Sequence, residues 1–477
     1  MELISLDFAG FVGITLLFYY LIPKRIQNQL LLAASYIFYG LWDIRFTAIL
    51  AITTILNYQV GKRAAGRKRI MWLGVGGNLL ALAFFRLVAS GYMEKIINYV
   101  NRTTDSQRIY LHILIPIGFS FYILTAISYL VDVYKKQIPP ADNFFDFALL
   151  LAYFPKMLSG PIERAKTFFP QLAKKKTLDN QRLSLAFLLI ITGFFRKMFF
   201  AELISKAIPV NLFNESNRFG APELIIYLIL YVFWLYNDFA GYTGIARGIS
   251  ALFGIDLLPN FEQPFFARSF VEFWNRWHIS LSNWLRDYIY YPVSRSLLRL
   301  NRNQRNLVNI CVPPLATMLA SGLWHNFGLY MLVWGGMHGV FQVVERLLII
   351  WKPGKAANEQ PVIKQIASMV VVFIFVSLAF VSFGSGSFSR ALLYWQGMVT
   401  GWGKPFILKP IGLVAPGIAI LLCLVLDYIQ YRTKDETAIL RFPRVIQAGM
   451  LALIILAFLY QVVIDESITA SFVYQGF

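Results

Sequence analysis

Charge and reactive side chains are scarce in this chain. Of its 477 residues only 14% are charged, four are histidine and two are cysteine. Cys311 and Cys423 both sit in apolar stretches, which leaves no disulfide framework and no clustered cysteine metal site, so both read as small core residues. Walker-type glycine loops, HExxH pairs and G-x-S-x-G elbows are missing, against ATP-driven transport and the common hydrolase and zinc-protease classes. The first residues, Met1 to Asp7, lack the basic region and cleavage site of a secretory signal, so the first apolar stretch is expected to stay as a spanning helix. Neither an inverted repeat nor a long low-complexity linker occurs. The expected organisation is one integral membrane domain over residues 1–477, with its motifs between about 150 and 350.

What is abundant is apolar. Hydrophobic residues make up 57% of the chain and the mean hydropathy is +0.58, so the bilayer is its solvent. Lys and Arg number 44 against 25 Asp and Glu, a net charge of +19. These cations lie in short bunches between apolar stretches rather than on a soluble face, which points to anionic lipid and away from nucleic acid. About twelve segments approach the roughly 20 residues a crossing needs: 6–22, 28–42, 45–60, 70–89, 109–134, 183–204, 223–240, 306–322, 327–350, 366–384, 411–431 and 445–464. An N-out start places the bunches around Lys24, Lys62, Lys174, Arg299, Lys355 and Arg432 on one side, as the positive-inside rule requires. The fold class expected is an all-α polytopic bundle of 11–12 spans with re-entrant or interfacial helices. The segment 183–204 carries Arg196 and Lys197 in its interior, at a cost of about 2.5–3.5 kcal/mol each near the bilayer centre unless they reach an interface or a partner. A polar cavity beside it is one solution.

Two stretches fit no simple span. Residues 144–160 are apolar but short and broken at Pro155, which favours a re-entrant or interfacial helix. Residues 241–297 hold Gly241, Gly244, Gly248 and Gly254, then Pro259 and Pro264, then an aromatic amphipathic stretch. Irregular backbone at membrane depth survives only where it is buried in protein or lines a wet cavity, so a site is expected near here.

The histidines are His112, His278, His325 and His338. Each in an apolar stretch must be hydrogen-bonded, neutral or functional. His112 opens a segment beside an outer loop, where an interfacial structural role suffices. His338, flanked by Gly335, Gly336 and Gly339, reads as a satisfied packing histidine beneath a closely approaching helix. His325 follows SGLW at the junction between two spans, where a neutral imidazole can take a proton from a hydroxyl attacking a thioester; a packing role stays open beside that reading. His278 lies in FWNRWHISLSNWLRDYIYYP. On one helix Trp274, Trp277, His278, Leu281, Trp284 and Tyr288 would share a face, either an interfacial aromatic belt or a wall directed into the protein. A lone base suits acyl transfer: a thioester is already activated, and the reaction needs neither a metal nor a bound cofactor.

Five stretches carry a family resemblance: ASYIFYGLWDIRF, YFPKMLSGPIER at 153–164, YNDFAGYTGIARGISALFGIDLLPNFEQPFFA at 236–267, FWNRWHISLSNWLRDYIYYP at 273–292 and SGLWHNFGLYMLVWGGMHG at 321–339. In this order they resemble the membrane-bound O-acyltransferase superfamily, in particular the bacterial branch of alginate O-acetyltransferase membrane subunits and teichoic-acid D-alanylation membrane proteins. The resemblance implies a bundle around a central funnel, the catalytic histidine on His325 and its partner on His278. It also implies a cytoplasmic acyl thioester meeting an acceptor from the other side. Trp324, Asn326, Trp277 and Arg286 are expected supporting or tunnel residues. Asn326 stands where the family commonly has glycine, and the ending SFVYQGF departs from the branch's aromatic-glutamine terminus.

The expected function is therefore an acyltransferase of the bacterial inner membrane, moving an acetyl group from acetyl-CoA, a co-substrate, for O-acetylation of an exported polysaccharide such as alginate, with an extracytoplasmic acetyltransferase partner. D-alanylation of teichoic acid from a carrier protein and acylation of a protein are alternatives within the chemistry. A polysaccharide or lipid transporter and a structural export subunit are alternatives outside it; the absence of charges paired within spans is taken as a point against the transporter.

Overall fold

The computed structural model describes residues 4–103, 115–174, 176–303, 305–351 and 360–443, with isolated positions beyond. Among these the chain is helical, with a single isolated bridge between Phe261 and Trp277 and no strand. The α-helices are α1 (Leu6–Leu21), α2 (Lys24–Gly40), α3 (Ile44–Ala64), α4 (Lys68–Ala89), α5 (Tyr92–Thr103), α6 (Phe119–Tyr134), α7 (Phe144–Ala152), α8 (Phe154–Met157), α9 (Ala165–Ala173), α10 (Asn180–Phe194) and α11 (Glu202–Ser205). They continue as α12 (Ala221–Leu252), α13 (Phe270–Arg276), α14 (Ile279–Leu285), α15 (Tyr291–Leu300), α16 (Leu307–His325), α17 (Leu329–Trp351), α18 (Val362–Ser385), α19 (Phe388–Thr400) and α20 (Val414–Thr433). Phe195–Ala201 and Arg286–Tyr290 are π-helical.

Six described helices are long and apolar enough to cross a membrane: Lys68–Ala89, Asn180–Ser205, Ala221–Leu252, Leu307–His325, Val362–Ser385 and Pro410–Thr433. Leu6–Leu21 and Phe119–Tyr134 are shorter apolar helices. The segments expected at 28–42, 45–60 and 327–350 are helical as α2, α3 and α17, while 445–464 falls largely outside the described residues, as does His112. The chain is thus an all-α membrane protein. Helix starts follow local capping: the Ser5 hydroxyl accepts the Phe8 N–H at 3.1 Å, and the Asn306 amide oxygen accepts the Val308 N–H at 2.9 Å to open α16.

The helices form two compact units, one of residues up to Ile190 with Tyr242–Pro259, the other of Ile191–Gly241 with residues from Asn260 onward. In the first, the expected break near Pro155 is present: α7 has only 9 residues, about 13 Å of helix and too short to cross. The Tyr153 hydroxyl is 3.1 Å from the Ser250 hydroxyl, and Glu163 accepts the Leu258 N–H at 2.7 Å. These contacts hold the end of α12 and the coil after it.

Two expectations are corrected. The irregular stretch does not begin at Gly241, because α12 runs unbroken to Leu252. Its glycines serve close packing: a Cβ on Gly241 would lie 2.7 Å from the Gly193 carbonyl oxygen, and one on Gly248 would lie 2.7 Å from that of Ala186. Charges are also paired between spans. Arg196, on the π-helical turn, is buried against Asp427 of α20, which also accepts the Tyr236 hydroxyl at 2.8 Å; Lys197 pairs with Asp238 of α12. Direct ion pairing offsets the charge that the sequence leaves exposed to hydrocarbon. Paired charges within spans are therefore present, contrary to the expectation from sequence.

Candidate active site

The α16–α17 hairpin carries the site. It is drawn tight by small residues: a Cβ on Gly322 would lie 2.2 Å from the Met331 carbonyl oxygen, and one on Gly335 would lie 2.3 Å from that of Met318. Gly339 is similarly close to Leu315, whereas Gly336 has nothing nearer than 4.0 Å. Gly335→Ala is accordingly expected to push the two backbones apart and destabilise the protein by about 1–3 kcal/mol, read as a lower melting temperature in detergent; Gly336→Ala in the same assay should melt like the parent.

His325 is the last residue of α16. Asn326 turns extended, with φ −161°, and donates its N–H to the Gly322 carbonyl at 3.1 Å, so the helix stops there and α17 begins at Leu329. The junction expected from sequence is real. His325 is 2% exposed. Its ring lies 4.7 Å from Trp324, 5.2 Å from Trp334 and 5.1 Å from Phe383, each edge-on.

His278 reaches the same cluster by another route. The continuous helix expected over 273–292 is not formed: α13 ends at Arg276, α14 starts at Ile279, and His278 between them is left-handed at φ 43°, ψ 52°. The break is satisfied locally, since the Glu262 N–H donates to the Arg276 carbonyl at 3.0 Å and the Ile279 N–H to the Asn260 carbonyl at 2.9 Å. Of the residues assigned to one face, Trp274, Trp277, His278, Leu281 and Trp284 are nonetheless buried and Tyr288 is half-buried, but they are carried by two short helices, the break between them and the π-helical turn that follows instead of by one helix. A left-handed non-glycine residue costs about 1–2 kcal/mol, and such strain concentrates at functional sites. It turns the His278 ring to 6.0 Å from Trp324 and 4.9 Å from Phe239. Trp324 therefore stands between two histidines that are 47 positions apart in the sequence (325 − 278).

Two further expected residues, Trp277 and Arg286, have other contacts. Trp277 packs against Phe261, Phe273 and Phe380 at 5.0, 5.5 and 5.2 Å. Arg286 begins the second π-helical turn, its Nε donating to Asp287 at 3.1 Å. It lines a cavity of about 720 Å³ together with Trp274, Asn275, Tyr290, Met318, Gln342 and Arg346. π-Turns inside helices often mark functional sites. The sequence singles out Trp274 on its aromatic face but not Trp334 or Phe383, the rings that join this cavity to His325: Trp274 lies 5.8 Å from Trp334. The signal was partly present, because Trp334 and His338 are four apart and share a face of α17.

Fold and site define a polytopic, all-α membrane protein whose buried histidines converge through one tryptophan beside a small-molecule-sized cavity. Residues 39–389 match MBOAT, the membrane-bound O-acyltransferase family, and the chain belongs to it. It is an acyltransferase. A protein named "Probable alginate O-acetylase AlgI" of Pseudomonas putida is 36% identical over 346 residues, 71% of this chain and 69% of its own. A peptidoglycan O-acetyltransferase of Helicobacter pylori is 27% identical over 428 residues, 82% of this chain and 77% of its own. A teichoic acid D-alanyltransferase of Streptococcus thermophilus is 30% identical over 237 residues, 48% of this chain and 56% of its own.

Proposed function

We propose that this protein transfers acetyl groups from acetyl-CoA on the cytoplasmic side of a bacterial inner membrane for O-acetylation of an exported polysaccharide of the alginate type, working with an extracytoplasmic acetyltransferase. The observation that carries the reading is the pair of buried histidines flanking Trp324 at a helix end. His325 is assigned as the base. It takes the proton of the acceptor hydroxyl as that oxygen attacks the thioester carbonyl; the C–O bond forms, the C–S bond breaks, and the proton passes to the departing thiolate. His278, whose ring also packs on Trp324, orients the reacting groups. The cavity lies within the range of small-molecule sites, and Trp274 on its wall leads through Trp334 to His325, a path suited to the donor.

The relatives named as O-acetylases support acetyl over other acyl groups. Protein reconstituted in liposomes is expected to turn over radiolabelled acetyl-CoA in the presence of polysaccharide acceptor. Turnover only with a D-alanyl carrier protein would favour the alternative suggested by the D-alanyltransferase relative. Failure to form an ester on the polysaccharide with acetyl-CoA would overturn the donor and acceptor proposed here.

A further inference from the structure

His338 does not behave as a packing residue. Its side chain is fully buried on α17, in contact with Trp274 and Trp334 at 5.0 Å each and with Phe341 at 6.0 Å. The satisfied histidine expected from sequence is not observed: neither ring nitrogen has a hydrogen-bond partner among the described residues. The indole nitrogens of Trp274 and Trp334, the two rings nearest to it, are likewise buried and without a partner among the described residues. A buried polar atom without a partner is a standing cost. Phenylalanine would fill an aromatic cage of this kind without it, so shape alone does not explain an imidazole.

Position supplies the explanation. Trp274 lines the cavity, Trp334 touches His325, and His338 touches both. We propose that His338 is a further substrate-contacting residue of the acyl-transfer site, taking its hydrogen bond from the amide-bearing arm of the thioester donor and so placing the thioester beside Trp334 and His325. His338 does not itself line the cavity; Trp274, which does, packs 5.0 Å from it, and the proposed contact forms when that indole turns aside. The proposal rests on the acetyl-CoA reading above and names a contact within it.

The test is equilibrium binding of acetyl-CoA to the detergent-solubilised full chain, with turnover measured alongside. His338→Phe is expected to accumulate and melt at or above the parent temperature while binding acetyl-CoA about tenfold or more weakly, the equivalent of one lost hydrogen bond. His338→Gln, which keeps a hydrogen-bonding end, should recover most of that loss. A packing role predicts the reverse order, with Phe binding like the parent and Gln impaired, and that result overturns the proposal. Failure of His338→Phe to accumulate overturns it too, because the fold itself would then need the imidazole. His325→Ala keeps the readings apart: it should retain acetyl-CoA affinity and lose turnover. If His325→Ala keeps turnover, the assigned base falls while the His338 comparison stands; if the parent binds no acetyl-CoA, the donor reading falls and this proposal with it.

Discussion

His325→Ala is expected to remove ester-linked acetyl groups from the exported polysaccharide, lowering transfer by about 10²–10⁴-fold, the usual contribution of a positioned general base. The chain should still insert and accumulate. His325 is a helix-terminal residue whose backbone continues into the Asn326 cap, and the ring contacts of Trp334 and Phe383 with other neighbours remain when the imidazole is removed. Mass spectrometry of base-released acetate, at matched membrane abundance, reads the result directly. Loss of esters with normal abundance supports His325 as base. Persistence of esters would return His325 to a packing role and remove it as the base of this acyltransferase.

Asp427→Ala should have the largest effect on stability. Its carboxylate is fully buried between the Arg196 guanidinium and the Tyr236 hydroxyl, and Arg196 reaches the Asn237 amide oxygen at 3.2 Å. Truncating one member of such a pair leaves the other charge desolvated, at about 3–5 kcal/mol. A sharp drop in melting temperature and in membrane abundance is the expected observation. The double variant Arg196→Met with Asp427→Leu is expected to recover much of the loss, because replacing both partners leaves no uncompensated charge. Equal instability in the single and double variants would mean that the network supplies something beyond charge neutralisation, for example the π-helical turn on which Arg196 sits.

Much of this protein follows from its sequence alone. Solvent class is a bulk property: long apolar runs spaced by basic bunches can be read residue by residue, and the observed helices α1, α4, α6, α16, α18 and α20 fall where the runs do. The helix end at His325 was legible because SGLWHN interrupts an apolar run between two spans. Local pattern failed where long-range contacts overrule it. Glycines read as breaks in α12 are points of close approach, as the Gly193 and Ala186 carbonyls show, and helical periodicity through Trp277–His278 yielded to backbone hydrogen bonds from Asn260 and Glu262.

Tertiary structure alone decided partnership. Nothing in the local sequence around Arg196 announces Asp427, 231 residues away, nor does any spacing rule place Trp324 between His278 and His325. Hydropathy is a sum over neighbours in sequence, whereas an ion pair, a ring contact or an unsatisfied imidazole depends on which helices share a face once packed. Composition and the order of its motifs were enough to read this chain as a membrane helix bundle of the O-acyltransferase kind; which side chains meet depended on packing, because only there do distant residues come within range of each other's charges and rings.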